Sequence, residues 1–363
     1  MVKFHLILVI LVISGLVIFF LLLDRGNWNN SDYDDQLKLG DLKVFSWIPH
    51  WDQAEAIESF KENADVFHSI GLFWYYLTAD GDLALYSRAS QDDALISLAR
   101  ENNVQVMVSV ANLNNDKGRG WDSDLVNSLL GTAESQSAHV QDIVSMVVKG
   151  DYDGVIIDYE GLDVVLREQF TSFIQELSVE LRKNNKLLGV TILPITEDGE
   201  TGAVAGAEAQ DLGAIAAVAD YVYVMSYGHH GKYTDPGPVA ALTWVEEVLK
   251  FSQARVPADK LFIGVPIFGY DWEEGVEGHG LTHKALSNII DRYEPDISYN
   301  KKMASSTFEF IKDEKNHVVW FEDERSLLAK LRLFKEYNIS NFAFWRLGND
   351  DQRVWEVIRL HGE

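Results

Sequence analysis

The stretch DYDGVIIDYEG at residues 151–161 sets two carboxylates, Asp158 and Glu160, at the end of an otherwise apolar run. Gly154 to Ile157 has the make-up of a buried strand, which is a poor place for charge. The two acids therefore sit at an open strand end as solvated groups, or are paired, or transfer protons, a task for which a carboxyl group with an adjusted pKa is suited. A period of two puts Gly154, Ile156, Asp158 and Glu160 on one face and Val155, Ile157 and Tyr159 on the other. The adjacent His229 and His230 point in different directions and have no third ligand at a recognisable spacing, so no metal centre is expected, nor any cofactor. With no cysteine in the chain, thiolate catalysis, disulfides and Cys-ligated metals are excluded.

The elements that must position these acids follow a repeating rhythm of β-rich run, polar loop and helix-period segment. Strands are expected at Lys43 to Ile48, Val66 to Trp74, Val104 to Ala111, Gly154 to Glu160, Leu187 to Pro194, Tyr221 to Tyr227, Leu261 to Phe268 and Asn341 to Trp345. Helical periodicity marks Asp92 to Glu101, Ala138 to Val148, Val164 to Lys183, Ala209 to Val218, Trp244 to Ser252 and Ser326 to Tyr337. Eight strands alternating with helices imply an α/β fold, a (β/α)8 TIM barrel over residues 43–363, with a short α+β insertion after strand seven at residues 272–322. The alternative, a doubly wound open sheet, lacks any G-x-G-x-x-G or P-loop after a strand. In a barrel, strand C-termini open onto the site, which is where two acids belong.

The formal net charge of -25 is spread along the chain and argues against nucleic acid as a partner. Ten tryptophans, several beside turn-like segments (Trp47, Trp51, Trp74, Trp272, Trp345), fit core packing or the apolar face of a neutral sugar. The N-terminus carries Lys3, an uncharged and mostly apolar run from Leu6 to Leu23, then Asp24 and Arg25. That run is long enough for a membrane-spanning helix, and no small-x-small cleavage site follows it. Residues 1–25 are therefore expected to be an uncleaved signal anchor and residues 26–42 a polar tether. The barrel would lie outside the cytoplasmic membrane as a monomer on a single-pass anchor, the alternative being secretion after cleavage.

DGVIIDYEG resembles the fourth-strand signature of family 18 glycoside hydrolases, D-G-x-D-x-D-x-E. In the same order, FSWIPHWD is similar to that family's first strand, VMVSVAN to its third, YVYVMSYGHH to its sixth, IGVPIFGYDW to its seventh and FAFWRLGNDD to its eighth. The run from HVVWF to FAFWRLG is closest to the bacterial, spore cortex and peptidoglycan branch, and the resemblance covers roughly Val44 to Trp355. It implies a retaining, substrate-assisted glycosidase of β-linked N-acetylglucosamine glycans, peptidoglycan or chitin-like. Carried over, Glu160 is the proton donor, Asp158 orients the acetamido group, Tyr227 donates to its carbonyl oxygen, and Trp345 floors the sugar. Trp47, Trp74, Asn112, Met225 and Tyr270 fall where substrate-binding residues are expected. Asp153, before the strand, is expected to be structural. Two positions depart from the pattern: Ile156 stands where the family often has a middle Asp, and Gly228 where an Asp usually follows the Tyr. They motivate one alternative, a carbohydrate-binding protein without catalysis. Another is an ordinary two-carboxylate glycosidase pairing Glu160 with Asp271 or Glu273.

Overall fold

A computed structural model describes residues 37–114, 120–197 and 206–362. Eight parallel strands are hydrogen-bonded in a closed ring: β1 (Lys43–Pro49), β2 (Ser69–Leu77), β3 (Gln105–Ala111), β4 (Gly154–Asp158), β5 (Leu187–Ile192), β6 (Tyr221–Val224), β7 (Leu261–Pro266) and β8 (Asn341–Trp345). Each pairs with its sequence neighbours, and β1 closes the ring by pairing with both β8 and β2. This is the expected (β/α)8 barrel. Its outer layer includes helices at Gln53–Asn63, Asp93–Glu101, Ala133–Lys149, Arg167–Lys183, Leu212–Val218, Leu242–Gln253, Glu324–Glu336 and Gln352–His361.

The barrel interior is packed by side chains from alternate strand positions, among them Phe45, Trp47, Met107, Ile156, Tyr223, Phe262 and Ala343. Ile156 fits because glycines on β2 and on the neighbouring β5 leave room for it in the barrel interior. A Cβ built on Gly71 would lie 3.1 Å from Ile156 Cδ1, and one on Gly189 would lie 3.2 Å from its Cγ1. The apolar residue at this position is thus matched by its surroundings. At the opposite end of β4, Asp153 accepts a hydrogen bond from the Val106 N–H at 2.7 Å and its own carbonyl accepts from Leu187 N, which stitches the starts of β3, β4 and β5 together.

Seven of the eight strands differ from the sequence expectation at one end or both, by one to three residues, and three of these boundaries have identifiable reasons. β2 begins at Ser69 rather than Val66, because Ala64–Val66 is a 3-10 turn that finishes the preceding helix. β4 leaves its ladder after Asp158, and β6 leaves after Val224, where tight turns from Ser226 N to Val224 O and from Tyr227 N to Met225 O take over. Both departures free the terminal side chains from the sheet pleat at the mouth of the barrel. After β7 an antiparallel five-stranded sheet (Gly269–Glu273, His279–Leu281, Ser298–Asn300, Ser305–Lys312, Lys315–Phe321) carries a helix at His283–Tyr293. It starts three residues before the expected boundary and has its own small core of Leu281, Leu286, Phe308, Phe310, Val319 and Phe321. No helix among the described residues is long and apolar enough to cross a membrane. The expected anchor at residues 1–25, and the tether as far as residue 36, lie outside the described residues.

Candidate active site

Asp158 ends β4 facing inwards and is almost completely buried, at 4% exposure. Its Oδ1 lies 2.5 Å from the hydroxyl of Thr191 on β5, itself buried. Burial pushes the Asp158 carboxyl up from 3.8 to about 6, with the Thr191 hydrogen bond opposing the rise. Glu160 is half-buried at the rim. Burial first, and the charge of Asp158 second, hold its carboxyl well above the usual 4.5. Two like charges this close ionise in sequence rather than together. Once Asp158 has ionised, its charge helps to hold the proton on Glu160, which sets a fixed negative charge beside a proton donor.

The backbone that carries these acids is fastened on three sides. Asn112, just past β3 and fully buried, donates from Nδ2 to the Glu160 carbonyl at 2.8 Å and accepts from the Glu160 N–H at 2.9 Å. Gln210 donates to the carbonyls of Tyr159 at 3.3 Å and Thr191 at 3.1 Å and accepts from Leu193 N at 2.8 Å, tying the ends of β4 and β5. On the outer face the Tyr159 hydroxyl meets His139 Nε2 at 2.7 Å, and burial lowers that imidazole to about 4, so it stays neutral. Between two acids that face the site, Tyr159 therefore works as an anchor into the helical layer.

Tyr227 follows β6. Burial, then the charges of Asp158 and Glu160, push its hydroxyl well above the usual 10, which keeps it protonated and able to donate. Its ring rests over Gly264 of β7, where a Cβ would come within 2.8 Å of Tyr227 Cε1. Gly228 has φ 85°, a left-handed conformation that favours glycine, and a Cβ there would meet nothing within 4 Å. The departure from the family's Asp thus coincides with a backbone that an Asp strains and with open space beside Tyr227.

A cleft of about 340 Å3, a size suited to a small ligand, is lined by Tyr227, Gly228, Tyr270, Trp345, Trp51 and Arg346, among others. Trp345, at the end of β8, is half-buried and packs on Trp51 at 6.2 Å between ring centroids, leaving an indole face at the cleft. Arg346 lies against Trp51 and pairs with Asp52 at 2.5 Å, which ties β8 to the loop after β1. Asp350 also borders the cleft, but Gly348 N, the Ser59 hydroxyl and Trp355 Nε1 all donate to its carboxylate.

Several expected binding residues are placed differently. Trp47 is 2% exposed and packs edge-on against Trp345 at 5.4 Å, so it supports the cleft wall from behind. Trp74 is fully buried in β2 beside a register shift and does not face the cleft, which corrects its expected contact with substrate. Asn112 spends both ends of its amide on the Glu160 backbone, so its expected ligand contact becomes a positioning role. Met225 is half-buried just past β6 and is absent from the cleft lining, whereas Tyr270 is part of it. Asp271 and Glu273, the alternative partners of Glu160, are engaged elsewhere: Asp271 bonds His317 at 2.9 Å and Glu273 pairs with Lys315. His229 stacks on Trp244 and His230 pairs with the Asp235 carbonyl. Among the described residues no group of three or more acids and histidines is arranged to hold a metal. Thr191 and Gln210 complete the site without having been assigned a role from sequence, and Trp51, one of the tryptophans suited to core or sugar, lines the cleft. Thr191 was legible as an inward position two residues after Gly189, but one hydroxyl in a strand carries no signal of its own.

Comparison with known proteins agrees with this geometry. Residues 46–350 match the family described as Glycosyl hydrolases family 18. The chain is similar to an uncharacterised glycosylase of Bacillus subtilis, YvbX, at 28% identity over 73% of this chain and 77% of that protein. It is similar to the cortical fragment-lytic enzyme of Bacillus anthracis at 24% identity over 80% of this chain, which spans 66% of that enzyme. A crystal structure of a chitinase from Chromobacterium violaceum superimposes with a TM-score of 0.79 at 27% identity, covering 88% of this chain and 98% of the other. The chain belongs to family 18 of the glycosyl hydrolases and is a glycosidase that hydrolyses O-glycosyl bonds.

Proposed function

We propose that the chain cleaves β-linked N-acetylglucosamine glycans of the peptidoglycan or chitin type, with retention of configuration and with the substrate's own acetamido group as nucleophile. One observation carries this reading. Asp158 and Glu160 stand together on one strand end and couple by charge to Tyr227 of the cleft lining, while the acid that itself lines the cleft, Asp350, is fully bonded. A two-carboxylate glycosidase needs a second free carboxyl across the scissile bond. With none there among the described residues, the acetamido carbonyl supplies the attacking oxygen.

Protonated Glu160 gives its proton to the glycosidic oxygen as the bond to the anomeric carbon breaks. The acetamido oxygen closes on that carbon, while ionised Asp158 accepts the amide N–H and balances the positive charge that develops on the ring so formed. Tyr227 donates its hydroxyl to the same oxygen and orients it, and Trp345 supports the sugar face. Glu160, now ionised, takes a proton from water, which attacks the anomeric carbon, reopens the ring and regenerates the acid. Two inversions give net retention. The cortical fragment-lytic relative supports a peptidoglycan-type substrate and the chitinase supports a chitin-type one.

The test is turnover of peptidoglycan fragments and chitooligosaccharides followed by mass spectrometry. Glu160→Gln is expected to lose nearly all turnover while still binding glycan; wild-type turnover in that variant removes Glu160 from the role. Retention of Asp158 and Glu160 favours an active enzyme over the alternative of binding without catalysis, and the same assay separates the two. We further propose that Leu6 to Leu23 anchors the barrel on the outer side of the cell membrane. Release of the chain by alkaline carbonate, or its protection from protease added to spheroplasts, would contradict that placement.

A further inference from the structure

We propose that Thr191 is a positioning residue for the hydrolysis described above: from β5 its hydroxyl fixes Asp158 in one inward orientation, in the ionised form, and fills the role left open where Ile156 replaces an interior acid. The inference rests on the hydrolytic reading for its consequence in turnover, but its geometry stands independently. The Thr191 hydroxyl has two acceptors in reach, Asp158 Oδ1 at 2.5 Å and the Ile157 carbonyl at 3.1 Å. The shorter contact, to a charged acceptor, is the stronger. Thr191 is in turn held by its own carbonyl, which accepts from Gln210 at 3.1 Å.

The surroundings offer Asp158 little else. The groups whose charge couples to it are Glu160 on its own strand and Tyr227 across the mouth. On the flanking strands, β3 turns Met107, Ser109 and Ala111 to the interior and β5 turns Gly189 and Thr191, so neither presents a charged group. β1, β2, β7 and β8 contribute Phe45, Trp47, Gly71, Phe73, Phe262 and Ala343. Tyr223 of β6 lies deeper in the barrel, near Tyr221. Ser109 pairs in register with Ile156, yet its buried hydroxyl has no hydrogen-bond partner among the described residues. An apolar Ile156 therefore leaves one interior hydroxyl idle and makes Thr191 the side chain that donates to Asp158. If Asp158 were free to turn, its charge would not lie fixed where the acetamido N–H arrives.

Thr191→Val keeps the shape and removes the donor, and Thr191→Ser keeps the donor. The first measurement does not depend on catalysis: thermal midpoints of the full chain at pH 4 and pH 8 for wild type, both variants and each variant combined with Asp158→Asn. The hydroxyl chiefly favours the ionised carboxylate, so Thr191→Val is expected to lose far more stability at pH 8 than at pH 4. Thr191→Ser should not show that difference, and it should vanish in the Asp158→Asn background. The second measurement is the pH profile of kcat/KM, whose acidic limb should move up by roughly 1 to 2 pH units in Thr191→Val, the equivalent of losing one hydrogen bond to a charged group, and return in Thr191→Ser. A pH-independent loss of stability with an unmoved acidic limb would overturn the proposal and leave Thr191 as packing. Should Thr191→Val fail to fold, Thr191→Ala is read by the same two criteria. A wild type without turnover would refute the hydrolytic reading, while the stability cycle would still decide the role of Thr191.

Discussion

Replacing Asp158 with Asn keeps the side chain's shape and its acceptor for Thr191 while removing the charge. In the folded protein the Asp158 carboxyl is raised from 3.8 to about 6, chiefly by burial. A carboxyl whose folded pKa lies above its unfolded value holds its proton more tightly in the folded state, so ionising it destabilises the fold. Below the unfolded value both states are protonated and nothing is lost. The loss grows as the pH rises from 3.8 to about 6, and it is complete above that window. At about 1.4 kcal/mol per pH unit of displacement, the complete loss is roughly 3 kcal/mol. Asp158→Asn should therefore exceed wild type by roughly 3 kcal/mol at pH 8 and by little at pH 4. Urea unfolding of the two proteins at both pH values measures the difference. A gap that does not change with pH, or a variant less stable than wild type at pH 8, would refute an ionised, desolvated carboxylate at the barrel mouth.

Asn112→Leu leaves the Glu160 N–H and carbonyl without their side-chain partners, which costs about 1–3 kcal/mol for each buried group left unmet. Thermal unfolding should show that loss, and kcat should fall with little change in KM; a rise in KM alone would return Asn112 to substrate contact. Ile156→Asp places a second acid on the interior face below Asp158, with the Ser109 hydroxyl beside it as a partner. Burial keeps that new acid protonated, so it donates to Asp158 and the acidic limb of the pH profile moves to lower pH. An unmoved limb would show that this position does not govern proton exchange at the site.

The barrel was legible because its strands are short apolar runs separated by helix-period segments, and because the C-terminal ends of those runs collect the unusual polar residues. Asp158, Glu160 and Tyr227 stand at such ends. The first and last helices, Gln53–Asn63 and Gln352–His361, were hidden for a physical reason that is clearest in the first. It buries Gln53, Ser59 and Asn63 alongside Ala56, Ile57 and Phe60, so its inward face does not read as apolar. Those polar groups are satisfied across the chain: Ser59 bonds Asp350, and Asn63 bonds Gln352. Long-range pairings of this kind have no local pattern. The same limit explains Asn112, whose type fits a sugar ligand as well as a backbone clamp, and Trp74, whose indole fits a cleft as well as a core. Only the register of β2, which shifts between Phe73 and Tyr75 at Trp74 itself, decides the second case. Ile156 remained a bare departure until Gly71 and Gly189 appeared beside it, three positions that only the closed sheet brings together.

Participation of the acetamido group is tested most directly by hydrolysis rates on aryl N-acetyl-β-glucosaminide or chitooligosaccharide substrates whose acetyl methyl carries none, one, two or three fluorines. Fluorine withdraws electrons from the carbonyl oxygen and leaves the leaving group and the cleft contacts nearly unchanged. If that oxygen attacks the anomeric carbon between Asp158 and Tyr227, the rate falls steeply with each added fluorine. A rate that is independent of fluorination would mean that the protein or water supplies the nucleophile, and would contradict the substrate-assisted mechanism.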